Sequence, residues 1–246
     1  MRVVVAGATG LIGSKTVARL RDHGVEVVPV SRRHGVDVIT GNGLEEALRG
    51  AEVVVDVTDA PARTEEAGLP FFRTATANLL AEAASAGVEH HVVLSMVGAE
   101  RLRSGYFRAK VLQEDRVRRS PIPHSIVRAG LSFESIEAIA LADTHRSEVR
   151  VAPALVHPIA TDDVAAAVAH VAVGLPLFDT IEVAGPEEYR LDDLTAKLLA
   201  ARGDTRGVVT DAHAGLFAAE LTERTLLPAP HARMGHTTFS EWLAQR

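Results

Sequence analysis

The chain has 246 residues, 47% of them hydrophobic, with 32 acidic and 26 basic side chains for a net charge of −6. That size fits one α/β domain, or one with a small appended lobe, and the absence of cysteine excludes disulfides and thiolate metal sites. No basic stripe speaks for nucleic acid, since Arg116, Arg118 and Arg119 read as a solvated helix end, and no apolar run reaches the ~20 residues that a membrane span needs.

The first element is a valine run, Val3–Val5, that leads straight into Gly7-Ala-Thr-Gly10-Leu-Ile-Gly13. A buried strand, a tight glycine turn and a helix start are predicted. Such a turn lets a pyrophosphate approach the backbone and rest on free N–H groups at the helix N-terminus. Gly7, Gly10, Leu11, Ile12 and Gly13 are therefore candidate cofactor-binding residues. Thr9 either adds a hydroxyl to the phosphate or only fills the turn. This segment is not expected to be a signal peptide, since three glycines break it and Lys15, Arg19, Arg21 and Asp22 follow at once. A cytoplasmic protein is expected.

The next helix carries Ile12, Thr16 and Leu20 on one face. The second strand, Val25–Val30, ends in Ser31-Arg32-Arg33. An acidic residue there would hold a ribose 2′-hydroxyl, whereas arginine matches a 2′-phosphate. Arg32, supported by Ser31 and Arg33, thus predicts NADP(H) in preference to NAD(H). Asp37 follows as either an adenine contact or a plain loop residue. The third strand, Val53–Val57, ends at the carboxyl edge of the sheet, beside the topological switch where ligands bind. Thr58 and Ala60 are candidates to line the cofactor there, and Asp59 is an N-cap or turn residue.

A helix with Phe72, Ala75, Leu79 and Ala83 on one face precedes a fourth strand around Val92–Leu94. Tyr106 and Lys110 then stand four residues apart, on one face of a predicted helix. Lysine beside tyrosine favours the phenolate and lowers the phenol's pKa. A phenol so tuned exchanges a proton with a carbonyl or alcohol while hydride moves from or to a nicotinamide. The chain has only two tyrosines and three lysines, so a chance pair at this spacing is rare.

Gly7-Ala-Thr-Gly10-Leu-Ile-Gly13, Tyr106 with Lys110, and Ser95 resemble the short-chain dehydrogenase/reductase superfamily. Tyr106-Phe-Arg-Ala-Lys110-Val-Leu-Gln-Glu, the later Pro-His-Ser-Ile-Val-Arg128, and Asp163 within Pro158-Ile-Ala-Thr-Asp-Asp163 resemble its atypical, NmrA-like branch. The resemblance covers most of the chain and thins after about residue 190. It implies a Rossmann fold, an NAD(P) cofactor, Tyr106 as acid/base and Lys110 on the nicotinamide ribose. Ser95 is either the hydroxyl that polarises the substrate oxygen or a structural strand-end hydroxyl, because the family's usual position falls at Met96 or Val97. The branch also includes proteins that bind NADP and report redox state without turnover.

Beyond the fifth strand, Ile126–Val127, prolines at 153, 158, 176, 186, 228 and 230 loosen the rhythm. A helix is predicted over Thr161–Val173 with Thr161 as its N-cap, then a strand near Thr180–Val183 and a helix opening at Leu191–Asp193. Eleven histidines include the adjacent pair His90 and His91, whose side chains point to opposite faces, and no metal-ligand spacing is present. His157 is a cleft or packed-loop residue, Arg128 a cofactor-edge or salt-bridge residue, and Phe133 a pocket wall or core residue. Trp242 anchors the last helix.

The expected architecture is an α/β, Rossmann-type doubly wound parallel sheet with a small C-terminal substrate lobe. Residues 1–246 form a single NAD(P)-binding domain, with about 130–246 supplying most of the lobe. The expected activity is NADPH-dependent reduction of a small carbonyl or enone by Tyr106, Lys110 and Ser95. The alternatives are a non-catalytic NADP sensor and an epimerase or dehydratase of the same superfamily. The expected partner is a small-molecule substrate, with no metal, nucleic acid or membrane.

Overall fold

The computed structural model describes residues 1–102, 104–142 and 147–245. In chain order the elements are β1 (Arg2–Ala6), α1 (Leu11–Asp22), β2 (Glu26–Val30), α2 (Leu44–Leu48), β3 (Val53–Asp56), α3 (Glu65–Ser85) and β4 (His90–Met96). Next come α4 (Gly105–Arg119), β5 (His124–Ala129), α5 (Phe133–Ala142), β6 (Glu148–Val151), β7 (Leu155–Val156) and α6 (Thr161–Ala172). The last are β8 (Thr180–Ala184), β9 (Tyr189–Arg190), α7 (Leu191–Ala201), β10 (Gly207–Thr210), β11 (Arg233–Met234) and α8 (Phe239–Ala244).

Among the described residues the main sheet has seven strands in the order β11-β8-β5-β4-β3-β1-β2, all parallel. This is the Rossmann-type, doubly wound α/β architecture. The chain leaves β1 for β2 on one side and returns to β3 on the other. The switch point therefore lies between β1 and β3, above the glycine turn.

The valine runs make sense of the layers. Val3, Val5, Val53 and Val55 share one core with Val164, Val168 and Ala172 of α6 and with Val17 and Leu20 of α1. Val4, Ala6 and Val54 point the other way, against Leu44 and Leu48 of α2 and Leu79 and Ala83 of α3. A strand apolar at every position is thus buried on both faces. Each fully covered valine contributes about 1.5–3 kcal/mol from area removed from water, so a charge at Val4 or Val54 would break the sheet.

The C-terminal third does two things. β8 and β11 extend the main sheet, and α6 covers it. Meanwhile α5, α7, α8, the β6–β10 pair and the β7–β9 pair gather around a separate core containing Phe133, Leu194, Leu198, Phe239 and Trp242. Trp242 packs on Phe133 at 5.2 Å between ring centres and donates its indole N–H to Glu134 at 3.1 Å.

One cap differs from expectation. Ala160, not Thr161, is the N-cap of α6, and it makes no side-chain cap bond. The Thr161 hydroxyl donates to Glu134 at 2.7 Å and accepts from Lys15 at 2.8 Å. Tertiary partners from α5 and α1 claim the oxygen that would otherwise cap the helix.

Candidate active site

An open cleft of about 810 Å³ runs along the carboxyl edge of the sheet at the switch point. Its lining comes from the glycine turn and α1 (Gly10, Leu11, Ile12 and Gly13) and from Leu131, Ser132, Ser135, Thr161 and Val164. Val57, Thr58, Asp59, Arg63, Ser95, Met96, Tyr106 and Lys110 also line it.

The glycine turn is sterically committed. Gly7 has φ +85°, and a Cβ there would sit 2.7 Å from the Val57 carbonyl oxygen. A Cβ on Gly13 would lie 2.0 Å from the Gly7 carbonyl oxygen. The N–H groups of Gly7 and Ala8 both donate to the Val30 carbonyl, which pins the turn beside the end of β2. α1 then starts at Leu11 with Gly10 as N-cap, no side-chain cap bond and no acidic residue in its first turn. Its leading N–H groups have no carbonyl partner inside the helix, and the dipole favours an anion there.

Immediately past β2, Arg32, Arg33 and His34 form one 3-10 turn, with Ser31 as its N-cap. The Ser31 hydroxyl meets His34 Nδ1 at 2.8 Å. Arg32 and Arg33 are exposed, and among the described residues no carboxylate pairs with either. Asp37 is half-buried and accepts the Ile39 N–H at 2.8 Å, so its side chain closes a local turn. Thr9 is exposed, and neither it nor Ala60 lines the cleft. Thr58 does line it, with its N–H and hydroxyl both donated to Asp56 Oδ1 at 3.0 and 2.6 Å.

Tyr106 and Lys110 share the predicted face of α4, and both line the cleft. Gly105 starts the helix at φ +60°, close against Phe217 and Ala218, and the Tyr106 N–H donates to the Phe217 carbonyl at 3.1 Å. The Tyr106 ring packs between Phe72 and Phe217, each 5.9 Å away by ring centres. Its hydroxyl donates to Asp59 Oδ1 at 2.5 Å. The expected depression of its pKa is overturned. Burial, then the charge and hydrogen bond of Asp59, push the phenol well above its ordinary value, against a smaller opposing pull from Arg63. The Lys110 ammonium is spent elsewhere, on the Leu94 carbonyl at 2.7 Å and Gln113 Oε1 at 2.5 Å, over the Phe72 ring at 4.5 Å. Burial lowers its pKa, against opposing pulls from Asp59 and Asp56.

Gln113 also donates to the buried Asp56 Oδ2 at 2.9 Å. Lys110, Gln113, Asp56 and Thr58 therefore form one continuous polar chain beneath the cleft. Lysine only donates and carboxylate only accepts, so one amide orientation of Gln113 alone serves both neighbours.

Ser95 is 2% exposed. Its hydroxyl makes no hydrogen bond of good geometry, although its nearness helps to hold Glu114 ionised. Burial works to raise the Glu114 pKa, and the bonds and charge of Arg128, aided by the nearby Ser95 hydroxyl and Arg118, override it and hold the pKa low. Met96 is the residue packed against the Tyr106 cluster.

Arg128 takes the salt-bridge role: it clasps Glu114 through Nε at 2.9 Å and Nη2 at 2.7 Å, and reaches Glu100 at 2.6 Å. Phe133 is a core residue and His157 a packed-loop residue, its Nδ1 3.1 Å from the Gly185 carbonyl. His90 meets Ser125 at 2.8 Å, while His91 is fully buried without a hydrogen-bond partner on either nitrogen. No group of three His, Asp or Glu that could hold a metal exists among the described residues, and no described helix is long and apolar enough to cross a membrane. Sequence reasoning missed Arg63, Ser132 and Ser135. Arg63 and Ser132 sit in strand-to-helix loops without periodicity and Ser135 in the first turn of α5, so only their place past the ends of β3 and β5 points to the cleft.

A family model described as NAD(P)H-binding matches residues 7–173. A curated relative from Streptomyces griseus subsp. griseus, (4-alkanoyl-5-oxo-2,5-dihydrofuran-3-yl)methyl phosphate reductase, is 32% identical over 140 residues. That match spans 51% of this chain and 46% of the relative, so less than half of the relative's length is represented. Among solved structures, MoeE5 in complex with UDP-glucose and NAD is similar at a TM-score of 0.79 and 19% identity, over 99% of this chain and 96% of that one. The NADPH-dependent quinone oxidoreductase QOR2 from Escherichia coli is similar at 0.65 and 20%, over 87% and 78%. At these identities the likeness is one of fold.

Proposed function

The chain belongs to the NAD(P)H-binding family, and from that premise we propose that it is an NADPH-dependent oxidoreductase that reduces a small carbonyl or enone compound. The carrying observation is the Tyr106 hydroxyl, a proton donor held by Asp59 in the same cleft as the glycine turn. A proton donor is what reduction of a carbonyl requires once hydride has been delivered.

The residues fit a dinucleotide. Side chains on Gly7 or Gly13 would fill the space that keeps the turn tight, and the bare first turn of α1 suits a pyrophosphate. Ser31, Arg32 and Arg33, free of carboxylates, suit a 2′-phosphate and support NADP(H) over NAD(H). A bound nicotinamide supplies the hydride. Tyr106 gives its proton to the substrate oxygen, and Arg63 favours the phenolate that remains. Lys110, fixed by Leu94 and Gln113, keeps one N–H for a ribose hydroxyl. Leu131, Ser132 and Ser135 belong to the lobe side and supply the substrate wall. Ser95 is assigned to holding Glu114 rather than to the substrate oxygen. The reductase relative, whose printed name specifies a phosphate ester of an oxo-dihydrofuran, supports the reaction type.

The second reading is an epimerase or dehydratase. It is supported by MoeE5, which has UDP-glucose and NAD bound and is covered over 96% of its length.

NADPH consumption across ketones, quinones and enones tests the proposal. Tyr106→Phe is expected to lose roughly 10²–10⁴-fold in rate while retaining NADPH binding. A full rate in that variant overturns the proton-donor role. A UDP-sugar altered at constant cofactor would establish the second reading, and tight NADPH binding with no substrate consumed would establish a sensor.

A further inference from the structure

Arg63 lies just ahead of α3, with its guanidinium in the cleft. Nε donates to Asp59 Oδ2 at 3.2 Å, and Nη1 donates to Ser135 Oγ at 3.1 Å. The guanidinium carbon stands 5.0 Å from the centre of the Phe217 ring. Residues from three separate segments thus brace one planar cation at a chosen angle. A guanidinium has five N–H donors, and the two bonds leave the others available. The side chain is 37% exposed, on the wall that also carries the Tyr106 hydroxyl. Asp59 is shared: Oδ1 holds the Tyr106 hydroxyl while Oδ2 holds Arg63.

We propose that Arg63, braced by Ser135 and Phe217, binds an oxyanion substituent of the substrate, a phosphate ester or carboxylate, and that Asp59 is a latch on Tyr106 which this anion loosens. The inference rests on the oxidoreductase reading and names the substrate class for the same cleft. The fork of an arginine suits two oxygens of a phosphate or carboxylate. An anion on its open side places a second negative charge near Asp59. Asp59 then loses part of its hold on Arg63, and repulsion favours its withdrawal from Tyr106. The phenol is released to donate to the substrate oxygen only when a charged substrate has arrived. A neutral carbonyl compound leaves Asp59 in place and meets a phenol already bonded.

Matched probes test this: levulinate against methyl levulinate, and dihydroxyacetone phosphate against hydroxyacetone. NADPH consumption is measured for each, together with calorimetric binding of each anionic probe to the protein saturated with NADP⁺. The expected result is at least about a tenfold preference in kcat/KM for one anionic member over its neutral partner, since tenfold corresponds to one ordinary polar contact. Arg63→Met should abolish that preference, and Arg63→Lys should restore part of it. Asp59→Asn should raise the rate with the neutral member. Circular dichroism of each variant shows that the fold persists. Equal rates for charged and neutral members in the wild type, or a preference that survives in Arg63→Met, overturn the subsite. If no probe is reduced, calorimetry decides: binding lost in Arg63→Met upholds the anion site while the reductase reading falls, and no binding to the wild type overturns the site. An unchanged neutral rate in Asp59→Asn overturns the latch.

Discussion

Gln113 joins Lys110 to Asp56, accepting from the ammonium at 2.5 Å and donating to the carboxylate at 2.9 Å. All three side chains are buried, so water cannot replace a lost partner. Gln113→Leu removes both bonds at once and leaves a buried ammonium with one fewer acceptor. Hydrogen bonds to charged groups are worth about 1.5–3 kcal/mol, which predicts roughly ten- to hundredfold weaker NADPH binding by fluorescence titration. The three lysines make Lys110 accessible to NMR with ¹³C-labelled lysine. Its titration is expected to move to lower pH in Gln113→Leu and in Asp56→Asn, because each takes away support for the charged form. An unmoved Lys110 signal with unchanged NADPH affinity would remove Gln113 from the site.

The proposed cofactor preference puts Arg32 at the 2′-phosphate. Arg32→Asp should weaken NADPH binding about ten- to hundredfold, the scale of a charge-assisted bond lost and a like charge gained. NADH binding should hold or improve, because a carboxylate at this strand end suits a ribose 2′-hydroxyl. Parallel titrations with both cofactors check this, and equal losses for the two would mean that Arg32 touches no 2′-phosphate.

The buried histidines predict acid sensitivity. Burial and the neighbouring His91 pull His90 down to about 4, and burial, against the pull of Asp56, brings His91 to about 4. Both pKa values lie below those of the unfolded chain, near 6.5. Their contribution to stability is therefore complete above pH 6.5 and is lost as pH falls through about 4, because the unfolded chain binds the protons first. A shift of this size corresponds to about 3 kcal/mol at most for one histidine. Thermal denaturation should show Tm falling across this window, and His91→Leu should flatten the decline. A slope that is identical in His91→Leu would assign the acid sensitivity to other groups.

Glu114 is fully buried and holds Arg128 with two bonds, with Arg118 on the same carboxylate. Glu114→Gln leaves a largely buried guanidinium with one charged partner fewer. Breaking such a pair typically costs about 3–5 kcal/mol, which for a domain of this size is roughly a 10 °C fall in Tm. Glu114→Leu combined with Arg128→Met should recover part of that loss, since no charge is then stranded. Calorimetry of the three proteins checks this, and a double variant no better than the single would show that packing outweighs charge here.

The parts of the fold that could be read from sequence are those whose pattern is local. Val3–Val5 and Val53–Val55 declare buried parallel strands by unbroken apolarity, and the glycine turn declares itself by spacing. The apolar runs Val92–Leu94 and Ile126–Val127 mark the middles of β4 and β5. The flanking strand residues His90, Ser95, Ser125 and Arg128 are polar yet buried. His90 and Ser125 satisfy each other, and Arg128 is satisfied by Glu114. No local signal announces such partners. Tyr106 and Lys110 were legible as a pair on one helix face, but the direction of the phenol's shift was not. It depends on burial first and then on Asp59, 47 positions away. Thr161 was misread for the same reason, since Glu134 and Lys15 claim its hydroxyl from distant elements.

The bond from the Tyr106 N–H to the Phe217 carbonyl also has a bearing on the order of assembly. The start of α4 is seated by a segment that leaves the ribosome roughly 110 residues later, and contacts of such long range form late because their loop-closure entropy comes first. The glycine turn, β1 and β2 can come together early from neighbouring sequence. During synthesis the glycine-turn end of the cleft can thus be shaped while the Tyr106 end still awaits its last wall.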